Sequence, residues 1–493
     1  MRDILKAALK TMSGSMGFLL FGMLTVKIMA VVLGPNGVGL YSLLRQTLEF
    51  SKNLGTFGGE AALVQGLASR TEKVRDRYLV TTFWVFVLGA LLMAATLMVL
   101  APWIAPLVFH RNDGQTIGLV RGLALPAVLV VASTYLNGVI NGFRAIGLLA
   151  LIQALGAGAG ALLAYPVSLL VQVGYPVAFI AMMSAPPAVG VALGAWRALR
   201  AGWLTALRRG PHMSLDSNSL RHFVRLAGTM LVTGLVTAGG VLVVRSLVVR
   251  YDGLAGAGVF AAAWSLSMTY IQVILASFGT YYLPTLSQIS DPMDRAVLMQ
   301  QVARFATLLA VPLVVGVVVL KPLAVTVLYS GEFTPALEII RWMLIGDYFK
   351  VAGHVVAMPV LAYADVKVFF WTELLTNLSF TIFAALALSS FGSMQGIGVG
   401  FLLMYIAYFA YYLQYSRSRH RLRLTKAMTL PWVLGLALIV GASWYTWTDT
   451  QVAWFAAPLW ICVAAAFSWV SLTRNEREAM LRMVLRWRGE APL

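Results

Sequence analysis

The chain is a succession of apolar runs broken by short polar turns. Fourteen of the runs are long enough to be helices crossing a bilayer: 13–33, 39–66, 79–105, 117–141, 147–171, 175–198, 221–249, 255–288, 298–320, 336–362, 367–390, 396–416, 428–447 and 451–473. About 20 apolar residues suffice to cross roughly 30 Å of hydrocarbon at 1.5 Å rise per residue. Tilt absorbs the excess in the longer runs. Turn chemistry punctuates them at Gly34-Pro35-Asn36-Gly37, Asn112-Asp113-Gly114, Tyr251-Asp252-Gly253 and Gly392-Ser393. The first run follows a short basic N-terminus (Arg2, Lys6, Lys10), so it reads as an uncleaved anchor. The expected fold is an all-α polytopic membrane protein of about 14 transmembrane helices.

Composition agrees. Of 493 residues, 60% are hydrophobic and 11% charged, against about 25% charged in soluble domains. The net charge of +18 would suggest nucleic acid in a soluble protein; here it reads as positive-inside bias, with no nucleic-acid partner. With the N-terminus cytoplasmic, 27 of the 37 Lys and Arg fall in cytoplasmic segments, five (Arg111, Arg121, Arg250, Lys321, Arg341) on the opposite side, and five within spans. That asymmetry puts both termini in the cytoplasm and requires an even number of spans. The one cysteine, Cys462, excludes an intrachain disulfide or a CxxC metal site.

An internal repeat organises the spans. Asn36–Tyr41 (NGVGLY) recurs as Ala255–Phe260 (AGAGVF), 219 positions on. Phe57-Gly58 recurs as Phe278-Gly279, and the turn Asn141–Ile146 as Ala362–Lys367, both at 221. Two homologous six-helix lobes of like orientation follow, related by an axis along the membrane normal. The expected division is an N-lobe 1–200, a cytoplasmic linker 201–218, a C-lobe 219–425, two extra helices in 426–473 and a basic cytoplasmic tail 474–493. Asp216, Ser217 and Ser219 are candidate N-caps for the seventh span. The tail alternates Arg477, Arg482 and Arg486 with Met480, Met483, Val484 and Trp487, either an amphipathic surface helix or a solvated basic segment.

Nine charges lie inside spans: Lys27, Arg45, Glu49, Lys52, Glu60, Arg245, Asp347, Lys350 and Glu373. Each costs roughly 2.5–3.5 kcal/mol near a bilayer centre. Facing lipid together they would cost roughly 20–30 kcal/mol, beyond the roughly 5–15 kcal/mol stability of a typical protein. They must face a hydrated interior or one another, as in a transporter of something polar. In span two, Ser42, Arg45, Glu49, Lys52, Thr56 and Glu60 recur at three- or four-residue steps along one face. That face is either a cavity wall with cationic donors Arg45 and Lys52, paired by Glu49, or an ion-pair ladder between helices. Asp347, Lys350 and His354 share one face of span ten, with Lys350 a substrate contact and Asp347 its holder, or else a self-neutralised pair. Arg245 and Lys27 reach either substrate or the outer interface. Glu373, one turn from Asn377, is a candidate proton or cation site.

Other patterns carry no chemistry. The Gly-rich runs Gly156–Ala161 and Gly256–Ala261 follow no strand and read as small-residue helix faces, like Gly55 and Gly59. There is no GxxxxGK[ST], HExxH or GxSxG, so no nucleotide-driven or catalytic reading is supported and an enzyme is not expected.

Three segments, AVVLGPNGVGLYSLLRQ (30–46), ASFGTYYLPTLSQIS (276–290) and GDYFKVAGHVVAMPVLAYADVKVFFWTEL (346–374), resemble the Wzx-type O-antigen and lipid III (enterobacterial common antigen) flippases. The resemblance covers roughly residues 1–420. It implies the fold of the multidrug/oligosaccharidyl-lipid/polysaccharide (MOP) exporter superfamily, MATE-like, with two six-helix lobes around a central cavity. It implies an undecaprenyl-diphosphate-linked oligosaccharide as substrate, carried across the bacterial inner membrane. By position, Lys27, Arg45, Arg245, Asp347, Lys350 and Glu373 match charges of that family, whereas Glu49, Lys52 and Glu60 depart from it. The last two spans also depart from the twelve of the enterobacterial proteins, while lipid II flippases have fourteen.

The expected substrate-binding residues are therefore Lys27, Arg45, Lys52, Arg245 and Lys350. Glu49, Glu60, Asp347 and Glu373 are assigned to charge pairing or ion coupling. No cofactor is expected beyond proton or sodium coupling; the partners are the lipid-linked glycan, membrane lipids and the polymerase and chain-length machinery of the same pathway. A lipid II flippase keeps an anionic substrate and is the alternative within the class. A multidrug cation antiporter fits less well, because span one contributes Lys27 and no acid. A membrane glycosyltransferase or polymerase would need a large outer loop, and none exceeds about 15 residues.

Overall fold

The computed structural model describes residues 2–68, 72–208, 216–278, 282–446, 450–473 and 476–477. Sixteen α-helices follow one another: α1 (Arg2–Gly55), α2 (Glu60–Ala68), α3 (Glu72–Ile104), α4 (Gly114–Gly122), α5 (Ala124–Gly142), α6 (Ile146–Gln172), α7 (Ala178–Arg200), α8 (Thr205–Arg208), α9 (Ser217–Ser277), α10 (Leu283–Gln288), α11 (Pro292–Leu328), α12 (Ala336–Ala362), α13 (Val366–Phe391), α14 (Gln395–His420), α15 (Lys426–Tyr445) and α16 (Thr450–Ser471). A π-helical turn, Ala105–Phe109, extends α3, and a 3-10 turn, Gly331–Phe333, precedes α12. Among the described residues there is no strand, and eleven helices are long and apolar enough to cross a membrane. The chain is an all-α polytopic membrane protein.

Two of these long helices are double. Backbone at Gly34 (φ 62, ψ −165) breaks α1, and Gly253 (φ 69, ψ −169) breaks α9. Both glycines have positive φ, a region that costs a Cβ-bearing residue but not glycine. Pro35 then restarts its helix in the first turn, where a missing N–H costs nothing. The turns expected at 34–37 and 251–253 are thus reduced to one residue each. With these two divisions and the shorter apolar helix Phe455–Ser471, fourteen apolar segments appear.

Other boundaries differ from expectation for identifiable reasons. Span two is interrupted at 56–59, where Phe57 (φ 52) and Gly58 (φ 64) turn the chain before α2. Span eight ends at Ser277, and α10 resumes at Leu283. Helices α3 and α11 run past their apolar cores, since polar ends extend a helix beyond the hydrocarbon layer. The 209–215 part of the linker, Gly279 of the repeat and most of the basic tail lie outside the described residues.

The repeat is written into backbone geometry. The two breaking glycines lie 219 positions apart. After α5, the N–H groups of Phe143, Arg144 and Ala145 donate to the carbonyls of Val139, Asn141 and Ile140. After α12, those of Tyr363, Ala364 and Asp365 donate to Pro359, Leu361 and Val360, the same pattern displaced by 220 rather than 221. Arg144 (φ 59) and Ala364 (φ 53) take the same left-handed position in the two turns.

By packing, the chain divides into two compact units, 1–261 with 327–333, and 262–326 with 334–493. In the first, α6 lies along α1 and α5 packs on α7. Its two halves of the repeat cross closely: a Cβ on Gly39 would collide with the Leu254 carbonyl, and one on Gly258 with the Pro35 carbonyl. Asp216 caps α9, accepting from the Ser219 amide (3.0 Å) and hydroxyl (2.5 Å). The Ser219 hydroxyl, chiefly, holds the Asp216 carboxyl below its ordinary range. In the second unit, α12 packs on α14, and α15 is docked by Trp432, whose carbonyl accepts from Tyr348 Oη (2.9 Å). Lys321 in α11, 2% exposed, donates to Thr446 Oγ1 at the end of α15 (3.1 Å). Helix α15 is thus tied to the second unit's core, and α16 is joined to α11 where Ser468 Oγ donates to the Leu308 carbonyl at 2.7 Å.

Candidate functional site

The first unit contains the denser set of cations. Beyond Gly34, α1 presents Tyr41, Arg45 and Glu49 at successive turns to a cavity of about 330 Å³, whose other polar lining includes Ser133 and Asn137 from α5 and Gln153 from α6. Arg45 and Glu49 are exposed, and neither has an ion-pair partner among the described residues. The pairing expected from Glu49 does not form. Lys52 instead meets Glu60 at 3.6 Å, across the turn that ends α1. Glu60 opens α2 and does not continue the face carrying Arg45.

Arg245 in α9 is buried, 7% exposed, with its guanidinium carbon 5.7 Å from the Phe260 ring centroid. Among the described residues its Nε and Nη1 have no hydrogen-bond acceptor. Lys27, half-buried in the first limb of α1, donates from Nζ to the Tyr329 carbonyl at 2.6 Å. Lys27 and Arg45 of α1 and Arg245 of α9 therefore belong to one unit, and among the described residues neither arginine has an acid within ion-pair distance.

The second unit builds a different environment. Asp347 in α12 is fully buried; its Oδ2 accepts from Ser267 Oγ and Tyr270 Oη, each at 2.8 Å, while Oδ1 has no partner among the described residues. One turn on, Lys350 donates from Nζ to Met268 Sδ (3.1 Å) and lies 5.4 Å from the Tyr405 ring centroid. Asp347 and Lys350 share a face without closing an ion pair within 4 Å among the described residues. His354 follows on the same face, half-buried. In α13, Glu373 is half-buried, and its main-chain carbonyl accepts from Asn377 Nδ2 at 2.8 Å. Facing rings on α14 form a column, with Tyr405 to Tyr408 at 5.9 Å and Tyr408 to Tyr412 at 4.7 Å.

Sequence reasoning missed Ser267, Tyr270, Met268 and Tyr405, the immediate neighbours of Asp347 and Lys350. A signal existed in the tyrosines at 405, 408 and 412, spaced at helical steps within one span. It also missed that Lys321 and Arg341 are buried, at 2% and 8% exposure. Among the described residues no cluster of His, Cys, Asp and Glu could hold a metal ion.

Residues 28–338 match the family model described as polysaccharide biosynthesis protein. The lipid III flippase of Escherichia coli (strain K12) is 27% identical over 414 residues, 83% of this chain and 97% of that protein. The lipid III flippase of Shigella flexneri matches to the same extent. Among solved structures, the lipid II flippase MurJ in an inward closed conformation superposes with a TM-score of 0.67 at 12% identity, covering 97% of this chain and 100% of that one. A MATE family multidrug resistance transporter of the MOP superfamily, in an inward-facing conformation, gives 0.59 at 15% identity, over 82% of this chain and 94% of that one. These likenesses are of fold. With the family match spanning more than half its length, the chain belongs to the polysaccharide biosynthesis protein family.

Proposed function

We propose that this chain is a flippase, moving an undecaprenyl-diphosphate-linked oligosaccharide of the O-antigen or lipid III type from the inner to the outer leaflet of the bacterial inner membrane. The observation that carries this reading is the uncompensated pair Arg45 and Arg245. A buried guanidinium with two N–H groups unmet among the described residues is costly unless an anion joins it, and Arg45 supplies a second guanidinium in the same unit. A diphosphate supplies about two negative charges and accepts fork-like hydrogen bonds from arginine. Lys27 and Lys52 add cations in the same unit, and Tyr41, Asn137 and Gln153 offer hydrogen bonds to sugars. A cationic drug would meet repulsion at this site.

The cycle is alternating access of two lobes, 1–200 and 219–425, with both termini and the linker cytoplasmic. The 27-to-5 distribution of basic residues supports that orientation. Lys350 is the second lobe's substrate contact. Asp347 and Glu373 are the candidates for proton or sodium coupling, being acids at membrane depth on neighbouring helices. Glu49 and Glu60 adjust the charge of the first lobe, Glu60 through its bridge to Lys52. Delivery to the pathway's polymerase belongs to the same reading. Native mass spectrometry of the purified full chain tests it: a polyprenyl-diphosphate oligosaccharide should be retained, and the double variant Arg45→Ala, Arg245→Ala should lose it. Equal retention by both proteins would place recognition elsewhere.

A further inference from the structure

Apart from the cation pair in the first unit, the second unit carries a concave basic surface where α14 passes into α15. Helix α14 ends at His420, and Arg421 turns the chain at φ 54. The connector is clamped on both sides. The amides of Arg421 and Leu422 donate to the Ser416 carbonyl, and Gln300 Nε2 donates to the Arg423 carbonyl at 2.9 Å. On this fixed backbone Arg417, Arg421 and Arg423 line a cavity of about 510 Å³, with Gln414 and Ser418 beside them.

All three arginines are exposed, and none has an ion-pair partner among the described residues. Asp365 at the start of α13 is engaged by Tyr415 Oη at 2.9 Å. Helix α15 begins at Lys426, three residues beyond Arg423, and has no side-chain cap, so its start carries partial positive charge. Three guanidinium groups lining one cavity with no acid paired to them make a site complementary to an anion.

The surroundings identify the source of that anion. Met293, 52% exposed, also lines the cavity. Along α15, Leu430, Val433 and Leu434 are exposed at three- and four-residue steps, an apolar stripe on one face of a membrane-crossing helix. Cations at the helix start with an apolar stripe beyond them match the order of a phospholipid, headgroup then acyl chain. We infer that the α14–α15 connector binds the phosphodiester headgroup of an anionic membrane phospholipid, with the acyl chains along the exposed face of α15.

The test uses the full chain with Cys462→Ala and Ser418→Cys, the new cysteine bearing an environment-sensitive fluorophore, reconstituted in vesicles. Phosphatidylglycerol brominated near the glycerol end of its chains should quench several-fold more than phosphatidylcholine brominated alike at equal mole fraction. Arg421→Gln should lower that preference about fivefold, the equivalent of the ~1 kcal/mol that each basic residue contributes near an anionic surface. Arg421→Lys, which keeps the charge, should retain most of it. Equal quenching by the two lipids with all arginines in place would overturn the inference, and that measurement needs no arginine variant to fold. Loss of the preference on adding millimolar inorganic phosphate would show a free-anion site and would overturn the lipid assignment.

Discussion

Replacing Arg245 by methionine should separate stability from transport. The substitution keeps an unbranched apolar stem beside the Phe260 ring and removes a buried guanidinium whose Nε and Nη1 lack acceptors. Each unsatisfied buried donor costs about 1–3 kcal/mol, so two cost about 2–6 kcal/mol before relaxation. Replacing buried charge by apolar groups of similar volume has stabilised other proteins by about 1–4 kcal/mol. The purified variant is therefore expected to unfold at a higher temperature than the parent. Its handling of a diphosphate substrate should worsen, because a hydrogen bond to a charged group is worth about 1.5–3 kcal/mol, or roughly ten- to hundredfold in affinity. Thermal unfolding in detergent and substrate titration on the same preparation read both quantities. A variant that unfolds earlier while binding substrate as before would show that Arg245 is a structural residue, and would refute this reasoning.

The remaining expectations address separate features. Glu60→Gln breaks a partly exposed ion pair with Lys52 and should change stability by less than about 1 kcal/mol, read as a small shift in Tm. Gly258→Ala forces a Cβ into the Pro35 carbonyl and should cost about 1–3 kcal/mol, again by thermal unfolding; an unchanged Tm would contradict the close crossing. Asp216→Ala should cost about 0.5–2 kcal/mol through loss of the α9 cap. Because the folded carboxyl is held below its unfolded value of about 3.9, that stabilisation is full above this pH and disappears as pH falls through the folded value. The Tm difference between parent and variant should therefore be largest at neutral pH and vanish in strong acid. Glu373→Gln should block net transport but not substrate binding if Glu373 is the coupling group; transport unchanged by this variant and by collapse of both proton and sodium gradients would exclude coupling.

The apolar runs were legible because length and composition alone decide what crosses a bilayer, and fourteen segments are present. The repeat was legible in 36–41 and 255–260 because the close crossing leaves no room for a Cβ at Gly39 or Gly258 and so marks residue type. Its offset was off by one at the Arg144 turn, since a hydrogen-bond pattern has no composition of its own. Periodicity makes the polar face of span two one continuous stripe, but the turn at Phe57 and Gly58 sets Glu60 on a new helix. Helical periodicity assumes an unbroken helix, so it could not see that Lys52 pairs with Glu60 rather than Glu49. Ser267 and Tyr270 were missed for a related reason: their link to Asp347 spans about eighty residues and is made by tertiary packing alone. In sequence the connector at 417–423 shows only inside charge, because its cavity depends on Ser416 and Gln300 fixing the backbone.

The central claim is that this chain moves a diphosphate-linked glycan across a bilayer by means of the Arg45 and Arg245 cations. Its most direct test is translocation of a polyprenyl-diphosphate oligosaccharide in vesicles containing the purified chain as sole protein, read by accessibility of the glycan to an impermeant enzyme. The wild-type chain should expose the glycan faster than protein-free vesicles, and Arg45→Ala with Arg245→Ala should return the rate to that background while the protein stays folded and inserted. Translocation by the double variant at the wild-type rate would contradict the account.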